Sequence, residues 1–262
     1  MTKVLIRGAG DLATGIGWRL HRCGFQVLMT EVGQPTMVRR TVSFSNAVYE
    51  KEMTVEGVTA RLVEDEAQLE QAFAKGLIPV LVDPSAACRQ SYGPDIVVDA
   101  ILAKQNLGTR MDDAPLVIGV GPGFYAGRDC HLVVETKRGH YLGRVIERGE
   151  AIPNTGIPGD VGGYTIERLI RSEAEGIFNP YVEIGDFVKI GQPVAESGGM
   201  EIRARMDGIV RGMLYPGLWV KKGMKCGDID ARCEREHCFT ISDKARSIAG
   251  GVLEGILYFQ HR

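Results

Sequence analysis

The chain has 262 residues, of which 44% are hydrophobic and 24% charged, a composition typical of globular proteins with room for one large domain or two small ones. Its formal net charge of −2 argues against nucleic acid or an anionic membrane as a partner. No apolar run reaches the ~20 residues of a membrane span, and the N-terminal run is too short for a signal peptide, so the sequence predicts a cytoplasmic protein with no membrane association.

The first 125 residues alternate short apolar runs with polar or helical stretches. The runs cover residues 3–7, 25–30, 78–82, 95–98 and 116–120. Continuous apolar runs of this length are typical of parallel strands that helices cover on both faces. They predict an α/β fold in which residues 1–125 form a Rossmann-like nucleotide-binding domain with a parallel sheet.

The first of these runs leads directly into a glycine motif. Gly8, Gly10 and Ala13 have the G-x-G-x-x-G/A spacing of dinucleotide-binding loops, and apolar residues then recur at helical spacing. A phosphate is expected against the backbone N–H groups at the start of this helix, where the helix dipole favours an anion. Asp11 either adds a negative charge at that point or caps the helix. The predicted binding residues of the loop are Gly8, Ala9, Gly10, Asp11, Leu12 and Ala13.

Carboxylates follow three of the predicted strands. Glu31 comes 21 residues after Gly10, where an acidic side chain accepts hydrogen bonds from a ribose diol. Asp83 and Asp99 end two further strands. Because the carboxyl ends of parallel strands meet at one edge of a sheet, all three carboxylates are predicted to converge on the same crevice. The alternative is that Asp83 and Asp99 cap the turns or helices that follow them.

Two further glycine-rich stretches and a polar hairpin compete for the site. VIGVGPGFYAG, residues 117–127, follows an apolar strand, but Pro122 removes an N–H donor from any phosphate cradle. PNTGIPGDVGGY, residues 153–164, is either a ligand loop or a connection. Residues 126–170 are predicted to form a hairpin and a connecting segment, in which His131 or His140 either serves in acid/base chemistry or lies on an exposed polar face.

Residues 171–230 contain an internal repeat. A shift of 32 residues places RSEAEGIFNPYVEIGDFVKIG, which starts at Arg171, on RARMDGIVRGMLYPGLWVKKG, which starts at Arg203, with seven identical positions. The repeat resembles the biotinyl and lipoyl carrier domains, small barrels built from two four-stranded copies. Their acceptor lysine would fall near Ser197, and no lysine lies between Lys189 and Lys221. The resemblance therefore predicts a barrel-sandwich module, in a mostly β domain, that docks partners and carries no covalent biotin or lipoate.

The last predicted segment, residues 231–262, holds the stretch CEREHC and a helix. Cys233 and Cys238 lack the C-x-x-C spacing of a zinc site, so no metal is expected. These thiols and that of Cys226 are predicted to be buried or incidental. Ser242 is placed to cap a helix with an apolar face that runs to Leu257. We expect this helix to pack back on the body of the protein or to form a homo-oligomer contact.

Seven stretches taken in order resemble one bacterial family across essentially the whole chain. They are GAGDLATGIGWRL, VRRTVSFSNAVYE, DAILAK, VIGVGPGF, ETKRGHYLGRVI, PNTGIPGDVGGY and FTISDKARSIAGGVLEGIL. The family is that of accessory proteins for selenium-dependent molybdenum hydroxylases, also described as selenium-dependent molybdenum cofactor biosynthesis proteins. The resemblance implies a maturation factor that acts with a molybdenum hydroxylase client or its maturation proteins, and it assigns no catalytic residues.

The ligand and the function class stay open at this point. Together with the glycine loop, the resemblance points to a small-molecule ligand, either an NAD-type dinucleotide or a molybdopterin nucleotide. Two other classes of function remain. One is an NAD-dependent oxidoreductase that acts on a small substrate, and the other is a non-enzymatic docking scaffold in which the glycine loop is purely structural.

Overall fold

The computed structural model describes residues 1–154, 156 and 162–261. The chain divides into two compact units. Unit 1 comprises Met1–Pro35, Ser43–Thr155 and Ile241–Arg262, and unit 2 comprises Thr36–Val42 and Gly156–Thr240. Within the described residues, no helix combines the length and the apolarity needed to cross a membrane.

Unit 1 is built on a nine-stranded sheet in the order β10-β9-β7-β6-β1-β2-β5-β4-β3. The strands of this sheet are β1 (Lys3–Arg7), β2 (Gln26–Glu31), β3 (Glu52–Val55), β4 (Val58–Val63), β5 (Ile78–Val82), β6 (Ile96–Asp99), β7 (Leu116–Val120), β9 (Leu132–Val134) and β10 (Val145–Ile146). A separate two-stranded sheet pairs β8 (Tyr125–Ala126) with β11 (Gly149–Glu150). From β9 across the large sheet to β4, neighbouring strands run parallel, and β3 and β10 are antiparallel at its two edges.

The predicted fold class, a Rossmann-like parallel sheet followed by a biotinyl/lipoyl-like barrel, is corrected by this architecture. The large sheet is mixed, and unit 2 consists of antiparallel sheets. The physical reason is visible at β3 and β4, because only Glu56 and Gly57 join them and both have positive φ. A two-residue turn of this kind closes an antiparallel hairpin, whereas a parallel pair needs a long crossover.

Five helices complete unit 1, and two of the three long ones pack against each other. The helices are α1 (Asp11–Arg22), α2 (Ala47–Glu50), α3 (Glu66–Ala74), α4 (Arg89–Tyr92) and α5 (Asp243–Gln260). Gly15 of α1 lies against α5, where a methyl group at position 15 would come within 2.9 Å of the Ala245 Cβ. Helix α5 also packs on β7, β9 and β10. The Ser242 hydroxyl accepts a hydrogen bond from the Ala245 N–H at 3.2 Å and so caps α5 at its start.

Two adjacent glycines of α5 differ in what surrounds them, which yields a matched pair of variants. A methyl group at Gly251 would overlap the Gly143 carbonyl, whereas one at Gly250 would meet only the flexible end of the Arg19 side chain. We expect Gly251→Ala to lower the free energy of unfolding by about 1–3 kcal/mol through overpacking. Gly250→Ala should be neutral or stabilise by up to about 1 kcal/mol, because alanine favours a helix interior. Urea denaturation measures both, and equal effects would contradict the packing described here.

His131, next to β9, is partly buried and accepts a backbone hydrogen bond from β7. Its Nδ1 atom accepts from the Val117 N–H at 3.0 Å, and its ring packs edge-on against Phe259 with centroids 5.5 Å apart. Burial lowers the pKa of this imidazole. Because Nδ1 is the acceptor, the neutral ring carries its proton on Nε2, and protonation of Nδ1 removes the bond to Val117. His131 therefore has a structural role through this bond, and it lies partly buried, not on the exposed polar face that was the alternative to acid/base chemistry.

Acid is expected to destabilise unit 1 through His131. The folded state binds this proton less readily than the unfolded chain, in which a histidine pKa is ~6.5, so the stabilisation is present above ~pH 6.5 and is lost as the pH falls below it. His131→Asn offers an oxygen in place of Nδ1 and does not titrate. The loss of unfolding free energy between about pH 7.5 and about pH 5.5 should therefore be smaller in this variant than in the wild type. Denaturation curves at the two pH values that shift equally in both proteins would refute this role.

Unit 2 consists of two four-stranded antiparallel sheets with the orders β12-β19-β17-β14 and β16-β15-β13-β18. Their strands are β12 (Leu169–Arg171), β13 (Gly176–Pro180), β14 (Phe187–Val188), β15 (Pro193–Ser197), β16 (Met200–Arg203), β17 (Gly208–Met213), β18 (Trp219–Val220) and β19 (Lys225–Asp230). Addition of 32 to the residue numbers of β14 gives β18, and the same shift relates β12, β13 and β15 to β16, β17 and β19 to within one or two residues at each end. If each strand of the first sheet is replaced by the strand that the shift relates to it, the order β12-β19-β17-β14 becomes β16-β15-β13-β18. The two sheets are therefore equivalent assemblies.

The equivalence extends to two fully buried valines. Val188 of β14 and Val220 of β18 both have no exposed surface. We expect Val188→Ala and Val220→Ala to lower the free energy of unfolding by similar amounts, about 1–3 kcal/mol each, through lost burial and a residual cavity. Urea denaturation of the full chain measures both values. A loss confined to one variant would contradict the equivalence of the two sites.

Candidate functional site

The glycine loop between β1 and α1 begins with a residue that must be glycine for structural reasons. Gly8 has φ +93°, and its N–H donates to the Thr30 carbonyl at 2.8 Å. A methyl group at this position would lie 3.0 Å from the Ala100 carbonyl oxygen. Left-handed φ and close backbone packing therefore both require glycine here.

Gly10 is different, because neither its conformation nor its surroundings require glycine. It is the N-cap of α1 with φ −66° and ψ −177°, an ordinary extended conformation. Among the described residues, and apart from its neighbours in the chain and its own helix, no atom lies within 4 Å of the position that a Cβ at Gly10 would occupy. Its carbonyl accepts the Thr14 N–H at 2.7 Å, so the helix starts directly at this open backbone. Helix α1 thus presents its positive end next to a residue whose missing side chain leaves room for a ligand.

The other residues of the loop form its inner side. Ala9, Leu12 and Ala13 are buried, and Asp11 is in the first turn of α1. Asp11 is not the cap of the helix, because that position belongs to Gly10, which has no side chain. Of the two roles considered for Asp11, the one that remains is a negative charge beside the start of the helix. The structure therefore keeps all six predicted residues together in one turn.

Glu31, at the end of β2, lies against this loop. Its Oε2 accepts the Ala9 N–H at 3.0 Å, and its Oε1 accepts the Val32 N–H at 2.8 Å. Burial raises the pKa of this carboxyl group, and the hydrogen bonds from Val32 and Ala9 partly offset the effect. The predicted proximity of Glu31 to the loop is thus present, and both oxygens also hold backbone groups in place.

Asp83 lies at the same edge of the sheet, but its carboxylate caps a turn. Its backbone N–H donates to the Glu31 carbonyl at 3.0 Å. The carboxylate accepts from the Ser85 hydroxyl at 2.9 Å and from the Cys88 N–H at 2.8 Å. Burial opposes ionisation, but the hydrogen bonds from Cys88, Ala87 and Ser85 outweigh it and lower the pKa of Asp83. The structure thus agrees with the capping alternative for this residue.

Asp99 belongs to a buried network at the end of β6. It has 1% of its surface exposed and accepts from Arg7 at 3.3 Å and from the Thr109 hydroxyl at 2.5 Å. Its other oxygen accepts the Ile101 N–H at 3.2 Å. Burial raises the pKa of Asp99, and the bonds to Thr109 and Arg7 partly offset the effect. These contacts hold the 100–110 loop to the sheet and leave Asp99 no open side toward a ligand.

The second glycine-rich stretch, residues 117–127, also has structural explanations. A methyl group at Gly119 would lie 2.5 Å from the Phe124 ring, and one at Gly121 would lie 2.8 Å from the Thr136 hydroxyl. At Gly123 the nearest atoms would be backbone atoms of Gln105 at 2.7 Å. Packing therefore accounts for these glycines without a bound phosphate. The third stretch, 153–164, includes residues 155 and 157–161, which lie outside the described residues.

A segment that the sequence analysis left without a role lies against the glycine loop. The Ser45 N–H donates to the Ala9 carbonyl, and the Phe44 N–H donates to the Thr14 hydroxyl, both at 2.8 Å. The Ser45 Oγ and the Asn46 Oδ1 are buried and have no hydrogen-bond partner within the described part of the chain. The stretch VRRTVSFSNAVYE contains both residues, but nothing in its local pattern indicates that it folds over residue 9.

Two of the three cysteines in residues 226–238 are buried thiols with raised pKa values. All six cysteines of the chain are free, with Cys226 and Cys238 buried and Cys233 exposed. Burial raises the pKa of Cys226 to about 11 and also raises that of Cys238. Buried thiols of this kind are poor nucleophiles. Among the residues that the structure describes, no cluster of three or more His, Cys, Asp or Glu side chains is arranged to hold a metal ion.

Comparison with curated proteins gives a close relative of greater length. No protein-family model matches the chain. The chain is 52% identical over 259 residues to a protein of Escherichia coli (strain K12) described as "Uncharacterized protein YqeB". The match takes in 99% of this chain and 48% of that protein, so the chain spans about half the length of the curated relative that it matches.

Three solved structures with some similarity to the chain have low identity and low TM-scores. The product-bound ectoine utilization protein EutE (DoeB) of Ruegeria pomeroyi is 16% identical, with 78% of this chain and 57% of that chain covered and a TM-score of 0.24. A succinylglutamate desuccinylase of Silicibacter is 13% identical, with 87% and 84% covered and a TM-score of 0.27. An aspartoacylase family protein of Mesorhizobium loti is 12% identical, with 87% and 84% covered and a TM-score of 0.26.

These comparisons correct the family resemblance drawn from the sequence. None of the relatives described above is named as an accessory protein of a selenium-dependent molybdenum hydroxylase, and the solved structures carry desuccinylase, aspartoacylase and ectoine utilization names. By this comparison the predicted family and its maturation role are wrong, whereas the predicted molybdenum hydroxylase client stays a prediction. The alternatives of an NAD-dependent oxidoreductase and a docking scaffold have no support among these relatives either. At such low TM-scores, the solved structures transfer no activity to the chain.

Proposed function

We propose that unit 1 binds a nucleotide-type small molecule, with its phosphate against the backbone of residues 9–12 at the start of α1. The observation that carries this proposal is Gly10, which has ordinary dihedral angles and, within the described part of the chain, open space where a Cβ would begin. Glycine at such a position is explained by a ligand that needs close approach to the backbone. Gly8 and Gly121, by contrast, have structural explanations.

The charge at this end of α1 favours an anion. The helix has 12 residues, so its N–H groups and aligned peptide dipoles place a partial positive charge at Gly10 and Asp11. Bare backbone and a helix start are the two features that phosphate-binding loops combine. The negative charge of Asp11 opposes this attraction, so a further cation is needed near the ligand.

Glu31 is proposed to accept hydroxyl groups of the same ligand. A carboxylate has about four acceptor positions, and the Ala9 and Val32 N–H groups use two of them. The remaining positions suit the hydroxyls of a ribose. Its position beside Ala9 places these acceptors next to the proposed phosphate site. Asp83 and Asp99 are proposed to shape this edge of the sheet without contacting the ligand.

The cellular location is proposed from the thiols. All six cysteines are free thiols. Several of them are buried, where oxidation would disturb the packing around them. Free thiols persist in a reducing compartment. We therefore propose that the chain functions in the cytoplasm.

The proposal is tested by calorimetry of the full chain with ATP, CTP and NAD. Gly10→Val places a branched side chain in the open space beside the helix start, so it should fold normally and lose at least about tenfold in affinity by blocking the phosphate. Gly250→Ala, in the same unit but away from the loop, is the control and should bind as the wild type does. Thermal melts verify that each variant is folded.

A second variant separates the two parts of the site. Glu31→Gln should weaken the binding of ATP, which has ribose hydroxyls, more than that of inorganic pyrophosphate, which has none. Absence of binding of all three nucleotides to the wild type would show that the proposed function is wrong. Unchanged binding by Gly10→Val would show that the ligand lies elsewhere.

A further inference from the structure

The β16-β15-β13-β18 sheet of unit 2 has two large apolar side chains next to each other on its outer face. Ile177 of β13 and Trp219 of β18 are directly opposite each other in the ladder, so their side chains lie on the same face of the sheet. Their exposed fractions are 45% and 62%. The Trp219 indole N–H donates to the Glu175 carboxylate at 3.3 Å. Ile177 and Trp219 therefore form an apolar patch on the surface with a carboxylate at its border.

The related position in the other sheet of unit 2 is covered. Ile209, which lies 32 residues after Ile177, is 7% exposed, because the 3-10 helix Arg235–Cys238 packs on β17. The two sheets have equivalent strand orders, so one kind of face is closed by a segment of the chain in one sheet and open in the other. A short polypeptide segment is therefore a cover of suitable size for Ile177.

A carboxylate on the open sheet lacks the cation that its counterpart has. Asp228, which the shift of 32 residues relates to Glu196, forms an ion pair with Arg168 at 2.6 Å. The residue that corresponds to Arg168 is Met200, so the open sheet has an uncharged side chain in that place. Within the described residues, Glu196 forms no ion pair. Its negative charge is thus left without a cation.

The hydrogen-bond donors of Glu196 are both neutral. The Asn179 amide donates to it at 2.9 Å and the Tyr181 hydroxyl at 2.8 Å. These two bonds lower the pKa of Glu196, so the carboxylate is ionised at neutral pH. Asn179 is opposite Glu196 and is exposed two residues after Ile177 in β13, which places the carboxylate and the apolar patch on the same side of the sheet. We call the surface formed by Ile177, Trp219, Asn179 and Glu196 the open face.

We infer that the open face binds a short basic segment of a partner protein, with an apolar side chain on Ile177 and Trp219 and an arginine or lysine on Glu196. The partner's cation would supply to Glu196 the charge that Arg168 supplies to Asp228. A second copy of this chain is a poorer match, because a twofold contact would bring two faces of the same negative charge together. The inference goes beyond the nucleotide site proposed for unit 1 and does not depend on it.

The test is calorimetry of the full chain with a synthetic peptide in which pairs of leucines alternate with pairs of arginines. Either side of this peptide carries both residue types when it is extended. Trp219→Ala should weaken its binding about tenfold or more, because aromatic anchors dominate interface energies. Phe187→Ala, which removes the 53% exposed ring at the position related to Trp219, is the matched control and should bind as the wild type does. A peptide with glutamate in place of arginine should not bind.

A second variant tests the charge. Glu196→Gln retains an acceptor oxygen and should weaken binding about threefold or more at low ionic strength, with a smaller difference at high salt. Failure of the basic peptide to bind the wild type, or equal binding to the wild type, Trp219→Ala and Glu196→Gln, would overturn the inference. Sedimentation that shows a dimer of the wild type, abolished by Trp219→Ala, would assign the open face to a second copy and also overturn it. Each of these outcomes leaves the nucleotide site of unit 1 standing.

Discussion

The close packing of α5 on α1 is the contact on which the rest of unit 1 depends. Gly15 allows Ala245 to approach within van der Waals distance, and Gly251 lies directly against the backbone at Gly143. Because α5 also covers β7, β9 and β10, the same packing buries one part of the sheet.

The three carboxylates at the carboxyl edge of the large sheet differ in role. Asp83 and Asp99 make structural contacts, whereas Glu31 has hydrogen-bond acceptor positions left for a ligand. Asp99 is enclosed by Arg7 and Thr109, and removal of Arg7 would leave the buried carboxylate without its counter-charge. Asp83 organises the turn before α4. Glu31 differs because it holds the glycine loop through one oxygen and retains acceptor capacity. These three carboxylates all lie at the carboxyl end of a strand, and the residues around each one determine its role.

In unit 2, the exposure of a residue likewise depends on the elements that pack against it. Its two sheets are equivalent in strand order, but their outer faces differ in exposure. Ile209 of β17 is 7% exposed, whereas Ile177, which occupies the related position in β13, is 45% exposed. The difference arises because a short 3-10 helix, Arg235–Cys238, packs on β17. Ser197, at the hairpin where a carrier domain would present a lysine, is fully buried and its hydroxyl accepts the Ala174 N–H.

The sequence by itself determined the local elements whose pattern is contiguous. The apolar run 3–7 is β1, the spacing of Leu12, Ile16 and Leu20 corresponds to α1, and the Ser242 cap begins α5. These predictions succeed because helix and strand periodicity are encoded in neighbouring residues. The turn of Glu56 and Gly57 was missed because it lacks the Asn-Gly or Asp-Gly signal of a tight hairpin. The mixed character of the sheet was missed with it.

Only the tertiary structure decided which residues serve the candidate site. Gly8 and Gly10 are indistinguishable in the sequence motif, and the presence of Ala100 beside one and of open space beside the other separates them. Likewise, the pairing of Arg7 with Asp99 joins residues that are distant along the chain. Periodicity reports which side of an element is buried, but ion pairs and open space depend on which elements become neighbours. That choice is made by packing of the whole unit, so no local pattern contains it.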